Sequence, residues 1–478
     1  TASTSASIMY LLRCSDPSKI VNSRLNNGSS AEKSSVLALF SSLTIEGSTL
    51  KQTNPQATMA LFFERSTLVM SNTNMTGFAS VPSSSDKVPG VLNLYQTTAS
   101  LEECIFENIS SSQDSGILLA TSSQITLTNC RATDITSNRS TIDLGSSTFS
   151  ATNCLFKDIK TTSDNPSVIL ATLSSITLNK FEVTGYQTTA MELSSTKLSA
   201  NGLVLNTNSF PSNSLNVGGG IHFKGVPSYS QDEGIEIINS AFQKITSKTS
   251  GGCISMVNAG ISTQRITVRN SLFSQCTSYG SGGAIYTESV IVTVADSVFV
   301  DNESLVPSGE VDNPEGKTDL DSRGGAICMA TSSEDTAAVA LDSNLSITVA
   351  GHSAFFGNNA LRGGAIYFDK QRPHIESTIR FADNTSNGYG PDIATLPLYA
   401  LPLNSHNLTT IIDLTSHFQD YTYEIEFFTK LRTLGLFTDN DNDGSQPTTN
   451  EDFDPFLGEN TSGGSNWSDV DALREEFA

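Results

Sequence analysis

Charged residues are scarce in this chain, and basic residues are scarcer than acidic ones. Only 16% of the 478 residues are charged, against about 25% in an average soluble protein, and 27 Lys and Arg stand against 49 Asp and Glu. The net charge of −22 speaks against a nucleic-acid partner, because binding to phosphates needs a field of Lys and Arg. The same sign disfavours an anionic membrane surface.

The residue patterns of common catalytic and metal-binding sites are also missing from the sequence. Five His and seven Cys form no CxxC pair and no Cys/His cluster, so a zinc site is not expected. No GxSxG, HExxH, phosphate-binding or dinucleotide-binding motif occurs. Because seven is odd, at least one cysteine has no partner within the chain. No apolar run approaches the ~18 residues that a membrane-spanning helix requires.

Small polar residues take the place of the missing charges. Ser and Thr make up roughly a quarter of the chain, Gly adds 34 residues, and apolar residues reach only 37%. Intrinsic disorder normally combines few apolar residues with a high charge fraction, and this chain lacks the second feature. The 24 Phe residues supply material for a core. The composition favours an exposed, repetitive β-protein over a helical enzyme.

One short apolar segment recurs thirteen times along the chain. Early copies include SVLALF at 35–40 and GVLNLY at 90–95, and later copies gain a glycine pair, as in GGAIYT at 282–287 and GGAIYF at 363–368. The last copy is PDIATL at 391–396. Repetition at a fixed period of this size is typical of solenoid proteins.

A second segment follows most of these copies at a short distance. It has alternating apolar residues, then Asn or Asp, a small residue and Phe, as in ITVRNSLFSQC at 266–276. Both segments alternate with period two, which predicts half-buried strands, and Gly, Asn, Ser and Asp between them predict turns. The minimum period of 22–26 residues leaves no room for helices. We predict an all-β, single-stranded parallel β-helix (β-solenoid) of about 13 turns, because a sandwich or barrel of hairpins would not need the same segments in the same order.

In a parallel in-register stack, equivalent side chains of successive turns lie above one another. The sequence therefore predicts columns of Ile, of Phe and of turn Asn residues, and a corner column in which Cys is later replaced by Ser. The residues are Ile285, Ile327 and Ile366; Phe242, Phe273 and Phe299; Asn129, Asn153, Asn239 and Asn270; and Cys104, Cys130, Cys154, Ser240, Ser271 and Ser297. The three cysteines would come within disulfide range, or form a ladder of small side chains.

The later repeats resemble a known family of surface proteins. GGAIY at 282–286 and 363–367 and GGAIC at 324–328 alternate with FVDN at 299–302, FGNN at 356–359 and FADN at 381–384. This pattern resembles the GGA(I/L/V) and FxxN repeats of the chlamydial polymorphic membrane proteins and their protist relatives. The resemblance implies a right-handed parallel β-helix on a cell surface, often with an adhesive role. Only 83 residues follow the last repeat, too few for the C-terminal barrel of some members. The chain would then be either the passenger domain of such a protein, without its barrel, or a surface protein of the protist type.

The repeat divides the chain into four regions. Residues 1–34 are expected to cap the N-terminal end and residues 35–395 to form the β-helix, with the family signature clearest over 218–395. Residues 396–438 have more large apolar side chains and no repeat, which is typical of a C-terminal cap over an exposed strand edge. Residues 439–478 form an acidic tail that we expect to be flexible.

The candidate binding residues lie in the loops and in the tail. Longer intervals between the later repeats predict a binding surface on loops at Tyr229, Asp232, Glu233, Glu334 and Asp335. Asp at alternate positions before Gly is how a calcium loop presents its oxygen ligands, so calcium is the one candidate cofactor, at Asp439, Asp441 and Asp443. A solvated acidic linker is the alternative for the tail. Glycosylation sequons include Asn108, Asn302, Asn344 and Asn407.

These observations favour a non-catalytic β-helix protein over an enzyme. The expected role is adhesion or a structural function, outside the cell or on its surface. The expected partners are other surface proteins or glycans. Neither binding to nucleic acid nor insertion into a membrane is expected. The missing Met at Thr1 suggests a processed or trimmed chain. One alternative is a self-assembling filament or coat subunit. The other is a polysaccharide-binding or polysaccharide-degrading β-helix enzyme, which would need paired carboxylates at a defined separation.

Overall fold

A computed structural model of the chain describes most of residues 9–395 and two short segments beyond them. The described residues are 9–14, 16–27, 36–52, 61–80, 91–111, 115–162, 167–208, 219–224, 234–257, 264–305, 322–330, 347–368, 373–395, 401–402 and 437–438. Within them every regular element is a β-strand, and every strand pairing outside the last short pair builds one parallel stack. The predicted parallel β-helix is therefore confirmed.

Fourteen strands form the first side of the stack, called sheet A, in the order in which they follow along the chain. They are Met9–Leu12, Val36–Leu39, Leu61–Glu64, Leu92–Tyr95, Ser115–Thr121, Ser140–Gly145, Ser167–Thr172, Thr189–Ser194, Ile221–Lys224, Ile254–Val257, Ile285–Glu288, Ile327–Ala330, Ile366–Phe368 and Ile393–Thr395. At about 4.8 Å between neighbouring strands, this side is about 60 Å long.

The second side, called the first ladder, follows sheet A in every turn. Its strands are Ser18–Val21, Ser42–Glu46, Thr67–Ser71, Thr98–Glu102, Gln124–Thr128, Thr148–Thr161, Ser175–Tyr186, Lys197–Asn201, Gly234–Ile238, Gln264–Arg269, Val290–Ala295, Ile347–Ala350 and His374–Ile375. Thr148–Thr161 and Ser175–Tyr186 continue around the next corner, and so join this side to the third one.

The third side, called the second ladder, completes the turn. Its separate strands are Arg24–Asn27, Thr49–Gln52, Asn74–Thr76, Ala79–Ser80, Ile105–Ser111, Arg131–Ser137, Val204–Asn208, Ala241–Gln243, Leu272–Ser274, Val298–Val300, Ala354–Phe356 and Arg380–Ala382. The later turns add a short fourth side of Thr246–Ser247, Thr277–Ser278, Glu303–Ser304, Asn359–Arg362 and Thr385–Tyr389. Outside the stack, Leu401–Pro402 pairs with Phe437–Thr438.

The β-helix begins earlier than the repeat pattern predicts. Met9–Leu12 pairs with Val36–Leu39, and Arg24–Asn27 pairs with Thr49–Gln52, both parallel and in register. The segment assigned to an N-terminal cap, 1–34, therefore contains a further turn, and sheet A has fourteen strands where thirteen were expected. The first strand of this turn, MYLL, has the apolar character of the other copies, whereas the two strands that follow it, SKIV and RLNN, are largely polar. The expected C-terminal cap, 396–438, lies outside the described residues except for the one short strand pair.

Most of the described corners between sheet A and the first ladder, and between the two ladders, contain a residue with a left-handed backbone. Between sheet A and the first ladder these residues include Arg65, Gln96 and Ser122, with φ of 47°, 49° and 50°. The next residue is a small polar one that points inward, and its oxygen accepts the backbone N–H of the turn before. Ser41 N–H donates to Ser66 Oγ at 3.1 Å, and the same bond recurs from turn to turn along the corner. Hydroxyls thus satisfy the backbone groups that strand pairing cannot reach at a corner.

The predicted core columns are confirmed. Ile285, Ile327 and Ile366 pair in register in sheet A. Five Phe rings stack along the second ladder, at 4.7 to 5.1 Å between centroids and 4° to 11° between planes. The stack runs through Phe242, Phe273, Phe299, Phe355 and Phe381. The alignment of FGNN at 356–359 with the family motif is therefore wrong by one residue, because Phe355 stacks and Gly357 occupies the left-handed corner position.

The FxxN motif ends in an internal ladder of asparagines. Asn302, Asn358 and Asn384 lie at most 7% exposed inside the corner that follows the second ladder. Asn358 Oδ1 accepts from the Asn302 N–H at 3.1 Å and from its Nδ2 at 2.9 Å. Asn358 Nδ2 donates to the Phe299 carbonyl at 3.0 Å, and Asn384 Oδ1 plays the same part for Asn358. Asn suits this position because the amide of Asn358 donates two hydrogen bonds from its nitrogen and accepts two on its oxygen, whereas a hydroxyl has only one proton to donate.

The glycine pairs lie where the backbones of successive turns approach each other closely. Gly282 has φ 71°, and a Cβ on Gly283 would lie 2.0 Å from the Gly325 carbonyl oxygen. The same contact recurs between Gly252 and Gly283, at 2.1 Å. The first glycine supplies the left-handed turn, and the second lets successive turns stack without a side chain between them.

The cysteines follow the corner pattern with one exception. Cys104, Cys130 and Cys154 are buried free thiols stacked at one corner. Cys130 Sγ donates to the Thr128 carbonyl at 3.4 Å, just as serine hydroxyls do at this corner. The predicted column therefore holds, and the cysteines are not paired in it. The disulfide joins Cys253 to Cys276. Cys276 lies one turn before Asn302 and occupies the equivalent position in the internal asparagine ladder.

The turn asparagines form exposed amide ladders, as predicted, but in two separate pieces. Asn153 Nδ2 donates to Asn129 Oδ1 at 2.8 Å, and Asn270 Nδ2 donates to Asn239 Oδ1 at 3.2 Å. All four have positive φ. Lys180 and Gly202 take the same corner position in the turns between them, so the amide ladder is interrupted there.

Removal of one internal ladder amide tests how much the corner bonds contribute. We expect Asn358→Ala to lower the free energy of unfolding by about 3 kcal/mol, because it leaves buried donors on Asn302 and a buried acceptor on Phe299 without partners. The matched control is Asn359→Ala, one residue on, where the side chain is only partly buried and a loss below about 1 kcal/mol is expected. Denaturant unfolding of both variants measures the difference, and equal losses would contradict the ladder's role.

Candidate functional site

Most of the residues singled out from the sequence lie outside the described part of the chain. This holds for the loop surface of Tyr229, Asp232, Glu233, Glu334 and Asp335, and for the calcium candidates Asp439, Asp441 and Asp443. Those assignments stay predictions. Among the described residues, no group of three or more His, Cys, Asp or Glu is arranged to hold a metal ion.

Two of the four glycosylation candidates can be placed in the fold. Asn108 is exposed at a corner with φ 54°, so its amide is open to solvent. Asn302 is 0% exposed, and its Nδ2 donates to the Phe273 carbonyl and to Asn358 Oδ1. A glycan on that nitrogen has no room in the fold, so the structure speaks against Asn302 as an acceptor. Asn344 and Asn407 lie outside the described residues.

The register of sheet A brings together titratable side chains that are far apart in the sequence. Asp143, Leu170, Glu192 and His222 occupy the same outward position on four successive strands. Their neighbours along each strand point into the core, as at Ile142 and Leu144, which are at most 1% exposed. Glu192 and His222 therefore lie on adjacent strands, about 4.8 Å apart along the stack.

Two basic side chains complete this group. Arg139 Nη1 lies 4.0 Å from Asp143 Oδ2, with the Asp143 side chain 17% exposed. Arg139 and Lys224 both interact electrostatically with Glu192, and Lys224 also interacts with His222. We call Arg139, Asp143, Glu192, His222 and Lys224 the sheet A cluster. It is a mixed-charge group, with two acids and two permanent cations around a histidine.

Partial burial sets the protonation of the two central groups. Burial raises the pKa of the Glu192 carboxyl above its ordinary value, since the lowering effects of Arg139 and Lys224 are smaller. Burial also lowers the pKa of His222 to about 4, with a further contribution from the nearby Lys224. At neutral pH His222 is consequently neutral. A carboxyl with a raised pKa beside a neutral imidazole can serve as a proton donor and acceptor pair.

The spacing of the two carboxyls suits some reactions better than others. Asp143 and Glu192 are separated by one intervening strand, which places their backbones about 9.6 Å apart. The carboxyl groups of inverting glycosidases lie about 6.5–9.5 Å apart, with a water molecule between them, and those of retaining enzymes about 5–5.5 Å apart, so a backbone spacing of this size is closer to the first arrangement.

Sequence analysis treated the five histidines as isolated and missed this cluster. The signal was nevertheless present, because Asp143, Glu192 and His222 hold the fourth place in STIDLG, TAMELS and GGIHFK, three copies of one repeated segment. Comparison of equivalent positions across copies, rather than of neighbours along the chain, would have found it. Asp296, Asp301 and Asp383, by contrast, are corner residues with positive φ, as the sequence predicted.

Comparisons with other proteins add no family to this description. No protein-family model matches the chain, and no curated protein matches it either. The resemblance to polymorphic membrane proteins thus rests on the GGAI and FxxN motifs alone. The described residues contain no helix with the length and hydropathy needed to cross a membrane.

The protonation of His222 makes the stability of the fold depend on pH. An unfolded histidine binds its proton near pH 6.5, whereas folded His222 does so near pH 4. As the pH falls between these values, only the unfolded chain takes up the proton, so the unfolding free energy decreases, by up to about 3 kcal/mol. Glu192, with its raised pKa, works in the opposite direction, because its stabilising contribution is lost as the pH rises.

A histidine variant isolates this effect from that of Glu192. We expect the free energy of unfolding of the native chain to fall more steeply from pH 6.5 to pH 4 than that of His222→Gln, which keeps Glu192, Asp143, Arg139 and Lys224. Proton NMR of the imidazole ring, assigned with the same variant, should give a midpoint near pH 4. A ring that titrates near 6.5 would show that His222 is not desolvated.

Proposed function

We propose that the protein is a non-catalytic β-helix that serves as a rigid extracellular or cell-surface element, in adhesion or as a structural component. The observation that carries this proposal is the continuous parallel pairing of the fourteen strands of sheet A. Every turn is tied to the next by strand pairing and by corner side chains, which is what a stiff spacer requires. Binding then falls to the outward faces and loops of the rod.

Two further features support a location outside the cell. The Cys253–Cys276 disulfide joins residues that are 0% exposed, and structural disulfides persist mainly in oxidising compartments. The net charge of −22 keeps a protein dispersed and disfavours contact with anionic membrane surfaces. Surface proteins or glycans are therefore the partner classes that we propose.

Labelling of intact cells that produce the protein tests this proposal. We expect a membrane-impermeant amine reagent to label the chain on unbroken cells and a cleavable cross-linker to join it to surface neighbours. A cytoplasmic protein of the same cells serves as the control for leakage. Isolation of the chain from the cytoplasm with Cys253 and Cys276 reduced would contradict a surface role.

The sheet A cluster favours one second candidate, a glycan-active enzyme. Asp143 and Glu192 would act as the carboxyl pair, and His222 would assist proton transfer. Under the leading proposal, incubation with neutral and acidic polysaccharides releases no reducing or unsaturated ends.

If products are released, three carboxyl variants test whether the sheet A cluster is responsible. Under the enzyme candidate, Glu192→Gln and Asp143→Asn each abolish product release. The control Glu236→Gln, on the exposed face of the first ladder, retains it. Equal activity in all three variants would place any chemistry away from the sheet A cluster.

A further inference from the structure

The outward face of the first ladder presents a regular lattice of hydroxyl groups. Five successive strands, from Thr98–Glu102 to Lys197–Asn201, pair in register with no shift. Each strand turns three side chains outward, and ten of these fifteen are Ser or Thr. The middle column contains hydroxyls alone. It consists of Ser100, Thr126, Ser150, Thr177 and Ser199.

The two flanking columns extend the lattice on both sides. One contributes Thr98, Thr148 and Ser175, and the other contributes Thr128 and Thr152. We call these ten hydroxyl residues and the five polar positions between them the hydroxyl face. Its two charged members, Glu102 and Lys197, stand at its first and last strands. The face carries no aromatic residue.

The hydroxyls of this face are free to meet an outside ligand. All ten residues are half-buried or exposed. Within the described part of the chain, only Ser199 uses its hydroxyl in a hydrogen bond, to Glu236 Oε2 at 3.3 Å. By contrast, the corner hydroxyls of the same turns are buried and bonded, as in Ser123 and Ser147. Apart from that of Ser199, the hydroxyls of this face are therefore not used in hydrogen bonds within the described part of the fold.

The geometry of the stack fixes the spacing of these groups. Neighbouring strands set a repeat of about 4.8 Å along the stack, and every second residue sets a repeat of about 6.7 Å along the strand. The hydroxyl face is thus a regular array with two repeats, both close to oxygen–oxygen repeats in the planes of hexagonal ice.

We propose that the hydroxyl face binds ice, through an ordered layer of water held on this lattice. A dissolved ligand would have to displace water from each hydroxyl, and such an exchange gains little free energy. Ice consists of that same water, already held in a lattice, so hydroxyls at matching repeats keep their hydrogen bonds on contact. Binding is then the sum of many weak contacts across a rigid surface.

Other ligand classes fit this face less well. The absence of a cationic field excludes phosphate-rich polymers, and a face with one Glu and one Lys offers no charge complementarity to ionic polymers. A crystalline polysaccharide presents sugar rings whose apolar sides favour aromatic platforms, and the hydroxyl face has none. The proposal goes beyond the surface role above and does not depend on it.

Ice affinity of the full-length chain is the direct test. We expect the protein to show thermal hysteresis, to slow the recrystallisation of ice, and to partition into a slowly grown ice crystal when a globular protein of similar size and charge stays in the liquid. Exclusion from ice with no hysteresis would overturn the proposal. Retention on crystalline cellulose or chitin without ice affinity would also overturn it, and would assign the face to a polysaccharide.

A pair of variants in a single strand locates the activity. Thr177→Tyr places a bulky ring in the centre of the hydroxyl face, whereas Thr184→Tyr places the same ring on the second-ladder side of Ser175–Tyr186. We expect the first variant to lose ice affinity and the second to keep it, with equal unfolding midpoints. Ser150→Tyr, one turn away, should repeat the loss. Equal behaviour of Thr177→Tyr and Thr184→Tyr would show that the hydroxyl face is not the site.

Discussion

The structure depends on how the chain turns its corners. A parallel stack pairs the backbone along its straight sides, but at most of the described corners a left-handed residue such as Ser122 or Asp301 takes the backbone out of the strand. The N–H that follows cannot reach a strand partner, and a buried N–H without a partner is costly. A side-chain oxygen from the next turn accepts it instead, as Ser147 Oγ does for Ser123. The wealth of Ser, Thr and Asn is in this respect a requirement of the fold.

The corners also show which residues can replace one another. At most corners the inward side chain accepts a backbone N–H or donates to the carbonyl two residues before it. Ser, Thr and Cys all occur at these positions, as in Ser271 and Cys130. Where the side chain donates two hydrogen bonds and accepts two, Asn is found, as in Asn358. The amide ladder ends at Cys276, whose side chain forms a disulfide with Cys253. The FxxN signature thus records a hydrogen-bonding need rather than a binding site.

The fold could be predicted from the sequence because its physics repeats, whereas the candidate site could not. Period-two alternation and the return of GGAI predicted the columns at Ile285 and Phe273, since stacking superposes equivalent residues. The first turn was missed although its strand MYLL is apolar, because the second segment of the repeat, with Asn or Asp before a small residue and Phe, does not follow it. The frame of FGNN was misplaced because two phenylalanines, Phe355 and Phe356, stand side by side, and only the register shows which one stacks. Glu192 and His222 became neighbours through register alone.

Outward positions of the strands are released from the demands of the core and the corners, so their chemistry reports on something other than folding. On sheet A these positions gather acids, cations and a histidine around a half-buried Glu192. On the first ladder the equivalent positions repeat hydroxyls such as Thr126 and Thr177 with almost no charge. One scaffold therefore carries two faces of different character on neighbouring sides of the stack. Solubility alone would not require this difference, because any polar side chain would serve at those positions; the contrast is why the two faces support different proposals, a carboxyl pair on sheet A and ice binding on the first ladder.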